Sequence, residues 1–547
     1  MVKQTSSNIQ ENQILSLLDK LESRLSRIEA HLHLEPLPNT GKSYGKSEAT
    51  GDSLKSTDRL ELAIGEFWFA RVGIIILALG IAFVLTFPYN NLPPVMPSLA
   101  GYFFVLTIFG LSHYWRENFV YISRYLFGGA LILLYFSTLR LYFFSQHPVL
   151  TNKSWELILL LTVVIITLII AVYKKSPYLA SLGLMAGYLT ALVGGTAYFL
   201  FFVVTFLAGS SVYLKFRYDW PNVLIFSCVL AYITHFLWFI NNPVLAHTLE
   251  LVSSPEINLI FIIVYSVIFT TGIIFRRENL SEDTGVRINA LINSLGCYGL
   301  YFFISGTKFS GHFGILHILI SLIFLLIAIG FWLREKSRYS TFFYSIAGYL
   351  ALSFAIISRF EIPQVFVWLS WQSILVISTA IWFRSKYIVV ANFFILAIIF
   401  FTYLASAGQS ASAGLNIGIV ALVSARIMNW QKDRLELRTE LMRNAYLIVA
   451  FLIVPYALYF LVPGGYISLS WIAVTLVYYG LSLLLHNKKY RWMALGTLLL
   501  TISYLLIIGI TKLEPVYRII TFLVLGMVLI GISLHYTRMR AKGAHNN

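Results

Sequence analysis

Between Phe69 and Tyr536 the chain alternates apolar stretches of membrane-spanning length with short polar turns about eighteen times, and every second turn is rich in Lys and Arg. A helix crossing a hydrocarbon layer about 30 Å thick needs roughly 20 apolar residues. In lipid, every backbone donor must find its acceptor within the segment or around a closed barrel. The apolar runs here are continuous and carry no period of two, which selects the helical solution. Composition agrees: 58% of the 547 residues are hydrophobic and 12% are charged, more apolar than a soluble core of that length requires. The chain reads as all-α, a polytopic helical membrane bundle of about eighteen transmembrane helices, drawn from 69–87, 96–114, 120–144 and 155–173, through 340–357 and 388–406 among others, to 491–510 and 516–536.

Orientation follows from the loops, because Lys and Arg are retained on the cytoplasmic side during insertion. One set of loops holds 21 basic residues, among them Lys174, Lys175, Lys215, Arg217, Arg334, Arg384 and Lys488, against four (Lys153, Lys308, Arg359 and Lys512) in the opposite set. The two sets stay in phase to the end, so the expected count is even and both termini are expected in the cytoplasm. The polar first 60 residues argue against a cleavable signal peptide, and the first span is expected to serve as its own insertion signal.

Residues Ile14, Leu18, Leu21, Leu25, Ile28 and Leu32 step by four and three in turn, the a/d spacing of a helix that buries one seam against a partner. Residues 9–33 therefore read as a short coiled coil for self-association or a protein partner, the alternative being a lone amphipathic helix on the membrane surface. The expected organisation is a coiled-coil-like helix over 1–35, a flexible linker over 36–60, a transmembrane domain over 61–540 and a tail over 541–547. The net charge of +16 is dispersed through the turns and lacks the clustered face of a nucleic-acid binder. The expected partners are thus the lipid bilayer and protein, with no nucleic acid. Cys228 and Cys297 lie within spans and read as small packing residues.

Several basic turns open alike, at Tyr173-Lys174-Lys175, Arg334-Glu335-Lys336 and Phe383-Arg384-Ser385-Lys386, and the helices that follow reach Tyr188-Leu189, Tyr349-Leu350 and Tyr403-Leu404. Two accounts stand side by side: duplication of a two-helix hairpin, or basic loops and interfacial tyrosines producing the same look by physics alone.

The stretch Glu61-Leu62-Ala63-Ile64-Gly65-Glu66-Phe67-Trp68 running into Leu79-Gly80-Ile81-Ala82-Phe83 resembles the opening of a bacterial family of predicted membrane proteins, domain of unknown function 2339. Gly128-Gly129-Ala130-Leu131, Ser181 to Thr190, and Tyr517-Arg518-Ile519-Ile520-Thr521-Phe522 are similar to further patches of it. The resemblance covers about 61–540 and implies a many-helix bacterial inner-membrane protein. It brings no activity, substrate, cofactor or catalytic residue.

Ionisable groups inside spans are the natural suspects, since holding one at the bilayer centre costs about 2.5–3.5 kcal/mol. No drawn span contains Asp or Glu away from its ends, which weakens proton-coupled or sodium-coupled transport. Arg124 and Arg140 share the third drawn span, about 24 Å apart along a helix, and fit snorkelling or helix bridging as well as an anion site. Arg518 follows Glu514 by four residues, a pairing distance. His235 and His317 lie in spans, and His147, His247, His312, Glu250, Glu256 and Glu361 lie at or near the outer loops. No H-x-x-x-H or H-E-x-x-H spacing makes them a metal site, so neither cofactor nor metal is expected. Gly183 and Gly187 are spaced for close helix approach, and a broken helix at Gly128 beside Arg124 would be the most transporter-like feature.

Three functions are compatible with these residues. The first is transport or flux of a small solute, lipid or envelope precursor. The second is a non-enzymatic scaffold or assembly factor recruiting partners through the coiled coil. The third is an envelope-modifying transferase, which would need His and Glu to converge at the outer face.

Overall fold

The computed structural model describes Gly80, Pro93 and residues 95–544, except 144–147, 242–250, 253–254, 276–283, 336, 406–409, 431–439 and 510–514. The expected coiled coil over 9–33, the linker over 36–60 and, apart from Gly80, the first drawn span lie outside the described residues.

Continuous apolar runs make helices, and seventeen α-helices with no strand are found among the described residues. The first six are α1 (Val95–Tyr114), α2 (Val120–Leu139), α3 (Lys153–Tyr173), α4 (Pro177–Val193), α5 (Ala197–Tyr218) and α6 (Pro221–Phe239). Next come α7 (Asn258–Ile274), α8 (Thr284–Lys308), α9 (Phe313–Glu335), α10 (Arg338–Arg359), α11 (Gln364–Trp382) and α12 (Lys386–Ala405). The last five are α13 (Ala411–Trp430), α14 (Glu440–Leu461), α15 (Ile467–Leu484), α16 (Lys488–Tyr504) and α17 (Pro515–Ala544). Among the described residues, fourteen helical segments are long and apolar enough to cross a membrane, and Pro177–Val193, Asn258–Ile274 and Ile519–Ile532 are shorter apolar segments.

Each of the seventeen helices falls on one drawn span, with two informative differences at the ends. The third drawn span reaches residue 144, but α2 stops at Leu139, where the Arg140 N–H donates to the Phe136 carbonyl and the Leu141 N–H to the Thr138 carbonyl. Arg140 is therefore a helix cap. The final helix runs on to Ala544 instead of 536.

The basic turns share a backbone device. Lys175, Arg384 and His486 all take left-handed conformations, with φ of 49°, 48° and 49°. The next residue's N–H then reaches the carbonyl five positions back: Ser176 to Ala171 at 2.9 Å, Ser385 to Ala380 at 2.9 Å and Asn487 to Ser482 at 3.3 Å. This closes one helix. Ser176 and Asn487 at once cap the following helix by accepting the N–H of Leu179 and Lys489, which satisfies donors that a new helix leaves unpaired. A turn of three residues can therefore reverse the chain without exposing backbone to lipid.

Helices joined by basic turns pack as hairpins, most extensively α1 with α2, α3 with α4, α9 with α10, α13 with α14 and α15 with α16. Successive hairpins then stack in a row. The second helices make an unbroken series of contacts, α2 on α4, α4 on α6, α6 on α8 and α8 on α10, while first helices pack α5 on α7 and α7 on α9. One apolar core runs from α2 to α10 and includes Leu160, Leu184, Phe201, Phe269 and Phe324. A second runs from α10 to α17. Large side chains such as Phe103, Ile169, Phe206, Leu322 and Ile398 are exposed on the perimeter, as a lipid-facing surface requires.

Gly183 and Gly187 behave as their spacing predicts. A Cβ at Gly183 would stand 3.0 Å from Leu168 Cδ2, and one at Gly187 would stand 2.9 Å from Leu207 Cδ1, so α3 and α5 both sit close on α4. No break occurs at Gly128, where one would have been the most transporter-like feature: α2 passes through Gly128 and Gly129 as regular helix. The reason is local: a Cβ at Gly128 would lie 2.8 Å from the Tyr178 ring, so that glycine makes room for a neighbour instead of bending the helix.

Candidate functional site

Tyrosines dominate the interior of the row. Tyr135 on α2 shares a 3.0 Å hydrogen bond with Thr190 on α4, and Tyr188 on α4 shares one of 2.8 Å with Ser227 on α6. Tyr232 on α6 donates to Asn293 Oδ1 on α8 at 2.6 Å, and Asn293 Nδ2 donates to the Tyr344 hydroxyl on α10 at 2.6 Å. The same amide reaches Ser266 O at 3.0 Å and Thr270 Oγ1 at 3.1 Å on α7. Past α10 the series continues through Tyr349 with Thr379 on α11, and through Asn392 on α12 to Ser373 on α11. From α2 to α10, each second helix is thus tied to the next by hydroxyl or amide groups. In lipid such a bond contributes about 0.6 kcal/mol, and a buried Asn without partners would cost far more. Cys228 Sγ lies 4.0 Å from Asn293 Oδ1 and Cys297 Sγ 3.8 Å from Ile262 O, so both cysteines flank this node as free thiols.

At the opposite end of the bundle from the basic turns, several buried polar groups have no hydrogen-bond partner among the described residues. Glu156 stands in the first turn of α3, which Asn152 caps by accepting the Ser154 N–H. Its residue is 0% exposed, and neither carboxylate oxygen has a hydrogen-bond partner among the described residues. The positive end of the α3 dipole favours a negative charge there by about 0.3–1 kcal/mol, short of what an isolated buried carboxylate needs. Two phenols lie within electrostatic range, Tyr102 on α1 and Tyr135 on α2. The Tyr102 hydroxyl meets Thr138 Oγ1 on α2 at 3.2 Å, and Tyr135 meets Thr190. On the same two helices the Ser98 and Ser137 hydroxyls are buried without partners among the described residues. Carboxylate, phenol and hydroxyl oxygens are hard donors suited to a proton, a hard cation or a cationic group.

The residues singled out from the sequence are dispersed. Arg124 is exposed on α2 near the basic turns, as a snorkelling side chain would be, whereas Arg140 is 3% exposed at the opposite end. His235 is buried on α6 between the rings of Phe201 at 5.2 Å, Trp238 at 5.4 Å and Tyr265 at 5.8 Å. His317 on α9 stacks on Phe313 at 3.8 Å, with its Nδ1 2.9 Å from the Phe313 carbonyl. The two imidazoles thus occupy separate aromatic cages. The backbone of Arg518 belongs to α17, and its side chain lies outside the described residues, as do Glu514, His147, His247 and Glu250. Among the described residues, no three His, Cys, Asp or Glu side chains converge as metal ligands.

Glu156 is the residue that sequence reasoning passed over. It stands one residue inside a drawn end, a position normally open to water, and its burial comes from neighbours on other helices. The tyrosines at 188, 349 and 403 were visible as a pattern, but they are buried in the bundle instead of lying at an interface. The model of a family described as predicted membrane protein, DUF2339, matches residues 65–462. The chain belongs to that family. The match takes in Glu156, the tyrosine series and Asn293, and ends at the close of α14, so the family-like patch around Arg518 lies beyond it. No curated protein and no solved structure matches the chain.

Proposed function

We propose that this member of the family mediates flux of a small solute, lipid or envelope precursor across a bacterial inner membrane. In this reading it has eighteen spans and both termini in the cytoplasm. The observation that carries it is the buried Glu156 carboxylate, without a hydrogen-bond partner among the described residues and within electrostatic range of the Tyr102 and Tyr135 phenols. A buried carboxylate with no ion pair among the described residues accepts whatever positive charge enters, a proton, a hard cation or a cationic group of the solute. The excess of basic residues, 21 against four, puts this end on the extracytoplasmic side.

The test is reconstitution in lipid vesicles with entrapped pH, sodium and potassium indicators under an imposed potential. Flux above that of protein-free vesicles, lost in Glu156→Gln, supports the proposal. Flux equal to the empty-vesicle rate for all three ions, with unchanged leakage of entrapped zwitterionic solutes, sinks it.

A scaffold is the second reading, favoured by the satisfied Asn293 node, which ties α6, α7, α8 and α10 into one piece. It calls for association through residues 9–33. Replacing Leu18 and Leu25 by Asp in the full chain should then lower its oligomeric mass in nanodiscs, and an unchanged mass would count against this reading. A transferase has no comparable observation in its favour.

A further inference from the structure

Between α3 and α5, over the face of α4, runs an apolar groove of about 540 Å³, lined by Leu168, Ile169, Val172, Phe206, Gly209 and Tyr213 among others. Its volume falls within the roughly 300–1,000 Å³ of small-molecule sites. Ile169, Phe206 and Tyr213 are exposed along it, so it opens toward the bilayer. Leu168 of this lining also packs closely on Gly183 of α4.

What distinguishes this groove from ordinary perimeter is its end. On α5 the lining residues 206, 210 and 213 step by four and three, and the next residue on that stripe is Arg217. On α3 the residues 165, 168 and 172 lead to the helix's end at Tyr173, and Lys175 stands in the turn that follows. Both cations are exposed, and Lys175 is held there by its left-handed turn. Trp220 and Tyr218 stack at 5.1 Å beside this end, as aromatic side chains do at headgroup level. An apolar trough in the hydrocarbon layer that finishes on two cations matches one chemistry, an acyl chain carrying a negative headgroup.

We propose that the α3–α5 groove binds an anionic glycerophospholipid from the leaflet on the basic side, its acyl chain in the trough and its phosphate between Lys175 and Arg217. The site is separate from Glu156, so it stands or falls independently of the flux reading.

The experiment is native mass spectrometry of the full chain released from nanodiscs containing equal phosphatidylglycerol and phosphatidylcholine. Wild-type protein should retain phosphatidylglycerol preferentially. Lys175→Gln and Arg217→Gln should each lower that preference about fivefold, the change expected for loss of one cation near a headgroup. Gly209→Leu should lower retention of the lipid itself, because a Cβ at Gly209 meets nothing within 4 Å and the added side chain can occupy the groove without displacing helices. Undiminished preference in the double charge variant, or undiminished retention in Gly209→Leu, overturns the proposal. Should Gly209→Leu fail to fold, phosphatidylglycerol with a photoreactive acyl chain decides on wild-type protein. Labelling concentrated on 165–172 and 206–214 supports the groove, and labelling spread evenly over the perimeter refutes it.

Discussion

The Tyr232 hydroxyl on α6 donates a 2.6 Å hydrogen bond to Asn293 Oδ1 on α8, and the other end of the same amide donates to Tyr344 on α10. One side chain thereby links three successive hairpins inside a medium that offers no water to replace a lost partner.

Removing either partner should have unequal effects. Tyr232→Phe loses one bond, with an expected cost of about 1 kcal/mol. Asn293→Leu leaves the Tyr232, Tyr344 and Thr270 hydroxyls without it, with an expected cost of about 2–4 kcal/mol. Because the two share a bond, the double variant should cost less than the sum. Reversible unfolding in mixed micelles measures all three, and strict additivity would show that the bond contributes little.

Glu156→Leu should stabilise the fold by about 1–3 kcal/mol, since it removes a buried group that has no partner. A thermal melt in detergent reads the sign. Destabilisation would mean that the carboxylate holds helices together and would remove it from the list of functional groups.

Arg384→Gly should raise stability by about 1 kcal/mol, because glycine adopts φ near +48° without the Cβ conflict that an L side chain meets there. Arg384→Val should lower it, the β-branch being least compatible with that conformation. The difference in melting temperature between the two variants is the measurement, and no difference would indicate that this turn does not set hairpin closure.

Two glycines should respond oppositely to alanine. A Cβ at Gly418 would run into Val454 Cγ2 of α14, a stiff branched neighbour, so Gly418→Ala should cost about 1–3 kcal/mol. Gly209 faces open space, so Gly209→Ala should be neutral or gain about 0.5–1 kcal/mol. Equal responses would mean that α13 and α14 are less tightly packed than their contact implies.

Much of the architecture was legible in the chain, and for a physical reason. Span positions follow from a hydrocarbon thickness that every helix must match, so 340–357 was drawn where Arg338–Arg359 is found and 388–406 where Lys386–Ala405 is found. Gly183 and Gly187 announced close packing because only a missing Cβ permits it. The candidate site was not legible. Glu156 sits where a helix end ordinarily meets water, and Arg124, Arg140, His235 and His317 attracted notice by type while taking up separate surroundings.

Apolar run length alone determined that this chain is a helical membrane protein, because backbone hydrogen bonding in lipid permits no open alternative, and family membership followed from residues along the same spans. Which polar groups inside those spans are satisfied was decided only by tertiary packing. A Tyr at position 232 and an Asn at position 293 are sixty-one residues apart, and nothing in their local sequence says that two helices will bring a phenol and an amide within bonding distance. The same holds for Glu156, which packing against other helices buries without a hydrogen-bond partner among the described residues. Local sequence sets where each helix begins and ends, and the stacking of hairpins determines which charges and hydroxyls remain without partners.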